Sequence, residues 1–244
     1  MCKNAATTLG RTLESLDRQR DACFESIIVD GLSTDSTPAL INRYASLLSR
    51  VISEPDDGIA DAMNKGIHAA SGKYLLFLNA DDYLWDADVL CSMQRYLDGS
   101  EIVAGSVWYG PKESGKLMRS RGFGPWTRYK IPFHHQGAFI RKSLFDRIGL
   151  YDTGYRIDMD YDFFLRAYHA GATARVIPEI TVSVMGDQGI SSLQIMDRIY
   201  EEKRVHERNA TGPVDRFLHG LWWAFYPHYK HAAVWLERRK KLRT

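Results

Sequence analysis

The chain has 244 residues, of which 45% are hydrophobic, 25% charged and 12% aromatic, and these fractions exclude a disordered, collagen-like or coiled-coil protein. Thirty-two Lys and Arg against 30 Asp and Glu leave +2, so no charge excess calls for a nucleic-acid partner. Cys2, Cys23 and Cys91 form no CxxC pair, which argues against a disulfide framework or zinc site and points to a reducing cytoplasm. No apolar run nears the ~20 residues that span a bilayer, and no signal peptide opens the chain, so a soluble protein is expected. The length suits one α/β domain with an appendage.

Leu9, Leu13 and Leu16 recur at helical spacing. Ser26-Ile27-Ile28-Val29 is a short β-branched run ending at Asp30 and predicts a buried parallel strand. A polar loop over 31–37 precedes a helix that buries Leu40, Ile41, Tyr44, Leu47 and Leu48. Val51-Ile52-Ser53 predicts a second strand, and Ile59 to Ala70 a helix with Met63, Ile67 and Ala70 on one face. Tyr74-Leu75-Leu76-Phe77-Leu78 predicts a strand running into Asn79-Ala80-Asp81-Asp82, followed by a helix over 86–97 and a strand over 101–104. Residues 105–135 carry few periodic signals and suit strands and loops around a site. A strand at 137–140, helices at 142–148 and 160–170, and a charged, solvent-facing helix at 191–208 complete the body. From Asp215 the composition turns aromatic and basic.

In open α/β sheets, ligands bind beyond the carboxyl ends of the strands. Two predicted strands end in acids, at Asp30 and at Asp81-Asp82. Asp30 alone suits an Asx turn. Adjacent carboxylates repel unless a cation or hydrogen-bond donors compensate. The pair therefore reads either as a solvated turn or as a site for a hard divalent ion that bridges to a diphosphate. Asp158, Asp160 and Asp162 crowd three acids near a helix start, which suits the helix dipole and would also raise at least one pKa.

Six blocks in order carry a resemblance to a known family. Val29-Asp30-Gly31-Leu32-Ser33-Thr34-Asp35-Ser36-Thr37 resembles the nucleotide-binding segment of family 2 glycosyltransferases, which have the GT-A fold. Glu54 to Gly66, with Asp57, Asn64 and Lys65, is similar to the next block, and Leu78-Asn79-Ala80-Asp81-Asp82 to the metal-binding DxD-type motif. His135-Gln136-Gly137, Gly149-Leu150-Tyr151-Asp152 and Asp158-Met159-Asp160-Tyr161-Asp162 resemble the acceptor-side blocks. The match runs over about residues 3–192 and looks closest to bacterial enzymes of exopolysaccharide and lipopolysaccharide assembly.

The resemblance implies an α/β, Rossmann-like, mostly parallel sheet flanked by helices in a GT-A domain over 1–212, and the aromatic and basic residues beyond it predict a helical tail over 213–244. It implies an inverting, metal-dependent transfer from a nucleotide-sugar donor, most often UDP-linked, to a glycan or lipid-linked saccharide acceptor. Asp30, Ser33, Asp57, Asn64, Lys65 and Asp81 would contact the donor. Asp82 would bind Mn2+ or Mg2+, and Asn79, an amide where the family often has Asp, would at best support the ion. Asp160 would be the general base, with His135, Gln136 and Asp158 near the acceptor or donor sugar. Met185 to Ser191 resembles a loop that closes near the diphosphate, and it also suits a plain surface loop.

The family opens with a buried strand before the position of Cys2, so a form extended upstream of Met1 is expected to be more stable. Aromatics and a basic cluster in 216–243 suit either a helix packed on the core or peripheral contact with an anionic membrane, at the inner face of the cytoplasmic membrane. A non-catalytic nucleotide-sugar or glycan-binding module of the same fold is the competing reading, although it has no need for Asp160. Nucleotidyl transfer would call for a Gly-rich phosphate loop near the start, and none is visible.

Overall fold

In the computed structural model, residues 1–186, 189 and 194–241 are described. Strands β1 (Ile27–Asp30) and β2 (Arg50–Ser53) pair in parallel, from Ile27 opposite Arg50 to Asp30 opposite Ser53. A parallel pair needs a crossover, and the helix Thr37–Arg43 provides it. That helix stops earlier than its apolar spacing predicts. Tyr44, Leu47 and Leu48 follow in turns and still pack beside Leu9, Leu13, Ile28 and Ile41.

The larger sheet is assembled from β3 (Tyr74–Leu75), β4 (Tyr83–Leu84), β5 (Ile102–Tyr109), β6 (Lys116–Met118), β7 (Ala138–Arg141) and β8 (Ala174–Met185). Its order is β3-β7-β5-β8-β4, with β6 hairpinned onto β5. Only β5 and β8 run parallel there; β7 lies antiparallel to both β3 and β5, and β4 antiparallel to β8. The sheet is thus more mixed than the mostly parallel one expected. Between β5 and β7 the chain forms the β6 hairpin strand and short 3-10 turns at Pro125–Arg128 and His135–Gly137, with no crossover helix to carry it back for a parallel return. The helix Met159–His169 does precede β8, and β8 is parallel to β5.

The core lies between this sheet and that helix. Phe145 stacks on Phe163 at 4.5 Å, and Phe133 meets Phe164 edge-on at 4.6 Å. Ile102, Ala104, Ala138 and Ile140 supply the sheet face, all fully buried. Such packing fixes the start of the helix, where the acids sit.

The expected strand over 74–78 pairs only at Tyr74–Leu75. Between it and β1 lies a cavity of about 600 Å3 lined by Leu13, Ile27, Ile28, Val29, Leu75 and Phe77 among others. Cys2 already bridges to β1 in parallel: its N–H donates to Val29 O and its carbonyl accepts from Gly31 N, each at 2.9 Å. The Met1 ammonium donates to Leu78 O at 3.4 Å.

The helix Ile195–Asn209 corrects the solvent-facing expectation. Glu201, Glu202, Val205 and His206 are all buried. They are covered partly by the last helix, Pro213–Lys241, through Trp223 donating to His206 Nδ1 (2.9 Å) and Tyr226 donating to Glu202 (3.2 Å). With the four remaining helices numbered in order, the helices are α1 (Leu9–Asp17), α2 (Thr37–Arg43), α3 (Ile59–Ala69), α4 (Val89–Gln94), α5 (Lys142–Ile148), α6 (Met159–His169), α7 (Ile195–Asn209) and α8 (Pro213–Lys241).

Candidate active site

The turn after the 74–78 run points its acids two ways. Asp82 is 1% exposed. Its Oδ2 accepts from the Asn79 backbone N–H (3.1 Å) and side-chain amide (2.8 Å), and its Oδ1 from Gly186 N (3.0 Å). Burial pushes the Asp82 carboxyl above the usual carboxylate range, and the neighbouring charge of Asp81 adds to the shift. Asp81 is half-buried, and a Cβ on Gly186 would stand 2.3 Å from its Oδ2, so glycine there lets the backbone pass against the carboxylate.

Asn79 links this turn to the acceptor-side blocks. An amide nitrogen only donates, so the ring nitrogen it meets at 3.4 Å, His135 Nε2, must accept. The proton then sits on Nδ1 and is donated to Asp160 Oδ2 at 2.9 Å. Asp160 stands in the first turn of α6, is 9% exposed, and accepts from Tyr161 N through Oδ1 (2.8 Å). Asp82, Asn79, His135 and Asp160 therefore form one hydrogen-bonded chain assembled from segments up to 81 positions apart. Asn79 supports Asp82, the expected ion ligand, and in addition reaches His135.

The three crowded acids have separate surroundings. Asp162 is paired with Arg166 (2.8 Å) and accepts from Asn209 (2.9 Å), a structural role. Asp158 is 8% exposed, its Oδ2 lacks a hydrogen-bond partner, and burial pushes its pKa up to about 8. Of the three acids, Asp158 is thus one whose pKa the crowding and burial raise. Arg198 lies 3.9 Å from its Oδ1. Glu201 of α7, which the sequence reading missed, accepts from the N–H groups of Arg156, Ile157 and Asp158 at 2.7–3.0 Å and fixes this approach to α6. A buried acid on an otherwise charged helix leaves no periodic signal.

On the donor side, Asp30 ends β1 at 1% exposure, with its oxygens taken by the Ser33 N–H and hydroxyl, by Ser53 (2.9 Å) and weakly by Cys2 Sγ (3.8 Å). It anchors the 31–37 loop. A Cβ on Gly31 would lie 2.0 Å from Asp56 Oδ2, so this loop and the one before α3 are pressed together. Asp57 is exposed there, its N–H on Asp61 (3.2 Å). Two expected donor contacts have other work. Asn64 is buried and clamps the backbone of Tyr151, donating to its carbonyl (2.9 Å) and accepting from its N–H (3.0 Å). Lys65 is tied to Glu54 (3.1 Å) and Asp61 (3.0 Å) and donates to Pro55 O. Gln136 is 5% exposed, and its carbonyl holds Ser183 (2.8 Å). Of the 185–191 loop, Asp187, Gln188, Ile190 and Ser191 lie outside the described residues.

Among the described residues no three His, Cys, Asp or Glu side chains form a group that could hold a metal ion. Ions of the Mg2+ kind retain their waters and need only one or two carboxylates besides phosphate oxygens. Adjacent Asp81 and Asp82, with Asp82 raised by burial and by its neighbour, fit such an ion, since positive charge would relieve both.

Comparison with known proteins identifies the family and the fold. The model of the family Glycosyl transferase family 2 matches residues 1–161. A "PGL/p-HBAD biosynthesis glycosyltransferase" of Mycobacterium tuberculosis is 35% identical over 208 residues, covering 80% of this chain and 78% of that protein. An "uncharacterized glycosyltransferase" of the same organism is 35% identical over 167 residues, 65% of this chain and 63% of the relative. Among solved structures, S. aureus TarS 1-349 with UDP-GlcNAc superposes with a TM-score of 0.67 at 18% identity, over 85% of this chain and 64% of that one. The mannosyltransferase PcManGT of Pyrobaculum calidifontis, with GDP-Man and Mn2+, gives 0.65 at 20% identity, over 88% and 64%. The chain spans less than two thirds of these two solved chains and 38% of a longer TarS structure. The chain belongs to glycosyl transferase family 2, and its fold is that of the GT-A glycosyltransferases.

Proposed function

We propose that the protein transfers a sugar, with inversion, from a nucleoside-diphosphate sugar, UDP-linked, to a glycan or lipid-linked saccharide of a bacterial surface polysaccharide. The observation that carries this reading is the hydrogen-bonded chain from Asp82 through Asn79 and His135 to Asp160. It ties the acids that suit a diphosphate to a carboxylate that suits proton removal.

The 31–37 loop, anchored by Asp30 and Ser33, and the neighbouring Asp56-Asp57 loop would border the nucleotide. Asp81 would face the ribose or sugar. Mn2+ or Mg2+, held by Asp82 with Asp81 beside it, would supply positive charge to the leaving diphosphate. Asp160 Oδ2 takes the proton of the attacking hydroxyl, and His135 holds that oxygen in place by donating from Nδ1. Asp158, with its proton retained to about pH 8, is not free to take another as base. Support also comes from the two solved relatives bound to nucleotide sugars. With such donors the reaction would run in the cytoplasm, and a lipid-linked acceptor would bring residues 216–243 to the anionic inner face of the membrane.

The test is incubation with a panel of nucleotide sugars and Mn2+, with release of the nucleoside diphosphate measured and the anomeric configuration of the product read by NMR. Release with an inverted product supports the reading. A retained configuration, or no release with any donor, overturns it.

A further inference from the structure

Helix α8 has two unlike sides. Its inner side carries Asp215, His219, Trp223 and Tyr226 against the body, with Asp215 paired to Arg128 (3.1 Å) and Trp223 donating to His206 (2.9 Å). Its outer side shows Val214, Phe217, Leu218, Leu221, Phe225 and Tyr229, which are 42–73% exposed. At about 100° per residue these six fall within an arc of roughly 120°, the width of a face that expects a partner. Trp126, 51% exposed, stands edge-on to Trp222 at 5.6 Å and borders the stripe.

We propose that this stripe lies in the headgroup region of an anionic lipid bilayer, with the helix axis along the membrane plane. Charge selects this partner. Residues 216–244 hold seven Lys and Arg and one acid, Glu237, a net +6, while residues 1–215 carry −4 of the chain's +2. Placing a second copy of residues 216–244 on the stripe would bring +6 against +6. A nucleic acid would leave six apolar side chains in water. An anionic interface accepts both features: the apolar arc enters between headgroups, and each Lys or Arg near the surface adds about 1 kcal/mol. The geometry is that of a helix lying on the bilayer, for among the described residues no helix is long and apolar enough to cross one. Trp126 matches the aromatic residues that favour the interface.

The inner side links this surface to the site. Trp223 holds His206, and His206 Nε2 meets the hydroxyl of Tyr161 at 2.9 Å, next in sequence to Asp160. The stripe's partner follows from its own residues; its use in presenting a lipid-linked acceptor rests on the transfer proposed above.

Flotation of the full chain with phosphatidylcholine vesicles, with and without phosphatidylglycerol, tests the proposal without turnover. The wild type should bind the phosphatidylglycerol vesicles at least about tenfold better than neutral ones, and lose that preference near 1 M salt. A triple variant, Phe217→Ser, Leu221→Ser and Phe225→Ser, should lower partition at least about tenfold, with circular dichroism, melting temperature and donor binding unchanged. Equal partition of the two proteins, or no flotation of the wild type at low salt, overturns the proposal. So does a wild-type dimer in sedimentation velocity that the triple variant abolishes, which would make the stripe a self-interface. A protein that floats but turns over no sugar would refute the transfer alone.

Discussion

Replacing Asp158 by Asn should change how stability depends on pH. Its buried carboxyl has an unpartnered Oδ2, and burial raises its pKa to about 8, helped by Asp160, Glu202 and Glu201 and opposed by Arg198. In the unfolded chain the same group titrates near 4. Between those values the folded protein keeps a proton that the unfolded chain has lost. This residue's contribution to stability therefore falls as pH rises from about 4 to about 8 and is level outside that window. At about 1.4 kcal/mol per pH unit, the full cost is roughly 6 kcal/mol, of which about 3–4 falls between pH 5 and pH 8. Asp158→Asn keeps the shape and abolishes the titration. Urea unfolding of both proteins across that range should show the variant's advantage over wild type growing by about 3–4 kcal/mol. The difference cancels His134 and His206, whose pKa values burial lowers to about 4 and about 3 and whose contributions rise with pH up to about 6.5. A constant difference at every pH would refute the reasoning, because Asp158 would then ionise as an exposed acid does.

Asp82→Ala should abolish the gain in nucleotide-sugar affinity that Mn2+ confers, measured by calorimetry with and without the ion; an unchanged gain would remove Asp82 from the metal. Asn64→Ala should cost about 1–3 kcal/mol in urea unfolding, because it leaves the buried N–H and carbonyl of Tyr151 unpaired. Donor Kd should not move, whereas a raised Kd with normal stability would restore Asn64 to the donor site. An extended apolar strand fused ahead of Met1 should continue the Cys2 ladder into the cavity beside β1. Burying even two apolar side chains there, at about 1.5–3 kcal/mol each, should raise Tm by several degrees in a scanning calorimeter, and an unchanged Tm would mean that the slot accepts no strand.

Periodicity located the elements that bury one face, such as α1 with Leu9 and Leu13 and α3 with Met63 and Ile67. It failed where partners decide. Leu76 to Leu78 have strand-forming side chains but no ladder neighbour, and pairing is a property of two segments, not one. The same limit hid the buried side of α7, because Glu201 and His206 look solvated until Arg156 to Asp158 and Tyr161 come to meet them. Motif order placed Asp81, Asp82, His135 and Asp160 in the same family pattern, and the fold joins three of these four through Asn79. What motif order does not distinguish is a conformational role from a contact. Asn64 and Lys65 lie in a matching block, yet their polar atoms hold Tyr151, Glu54, Asp61 and Pro55. The tail's composition suits either packing or a membrane face; α8 presents one face to the body and leaves another exposed, while Trp235 and the basic side chains at 238–243 lie outside those described.

The most direct test of the transfer chemistry is a comparison of Asp160→Asn with wild type, measuring donor Kd by calorimetry and kcat by nucleoside diphosphate release. Asparagine can still accept from His135 but cannot take a proton, so kcat should fall about 10²–10⁴-fold while donor Kd stays within about twofold. Wild-type kcat in the variant would contradict the assignment of Asp160 as the base, and a matching loss of donor affinity would make it a binding residue instead.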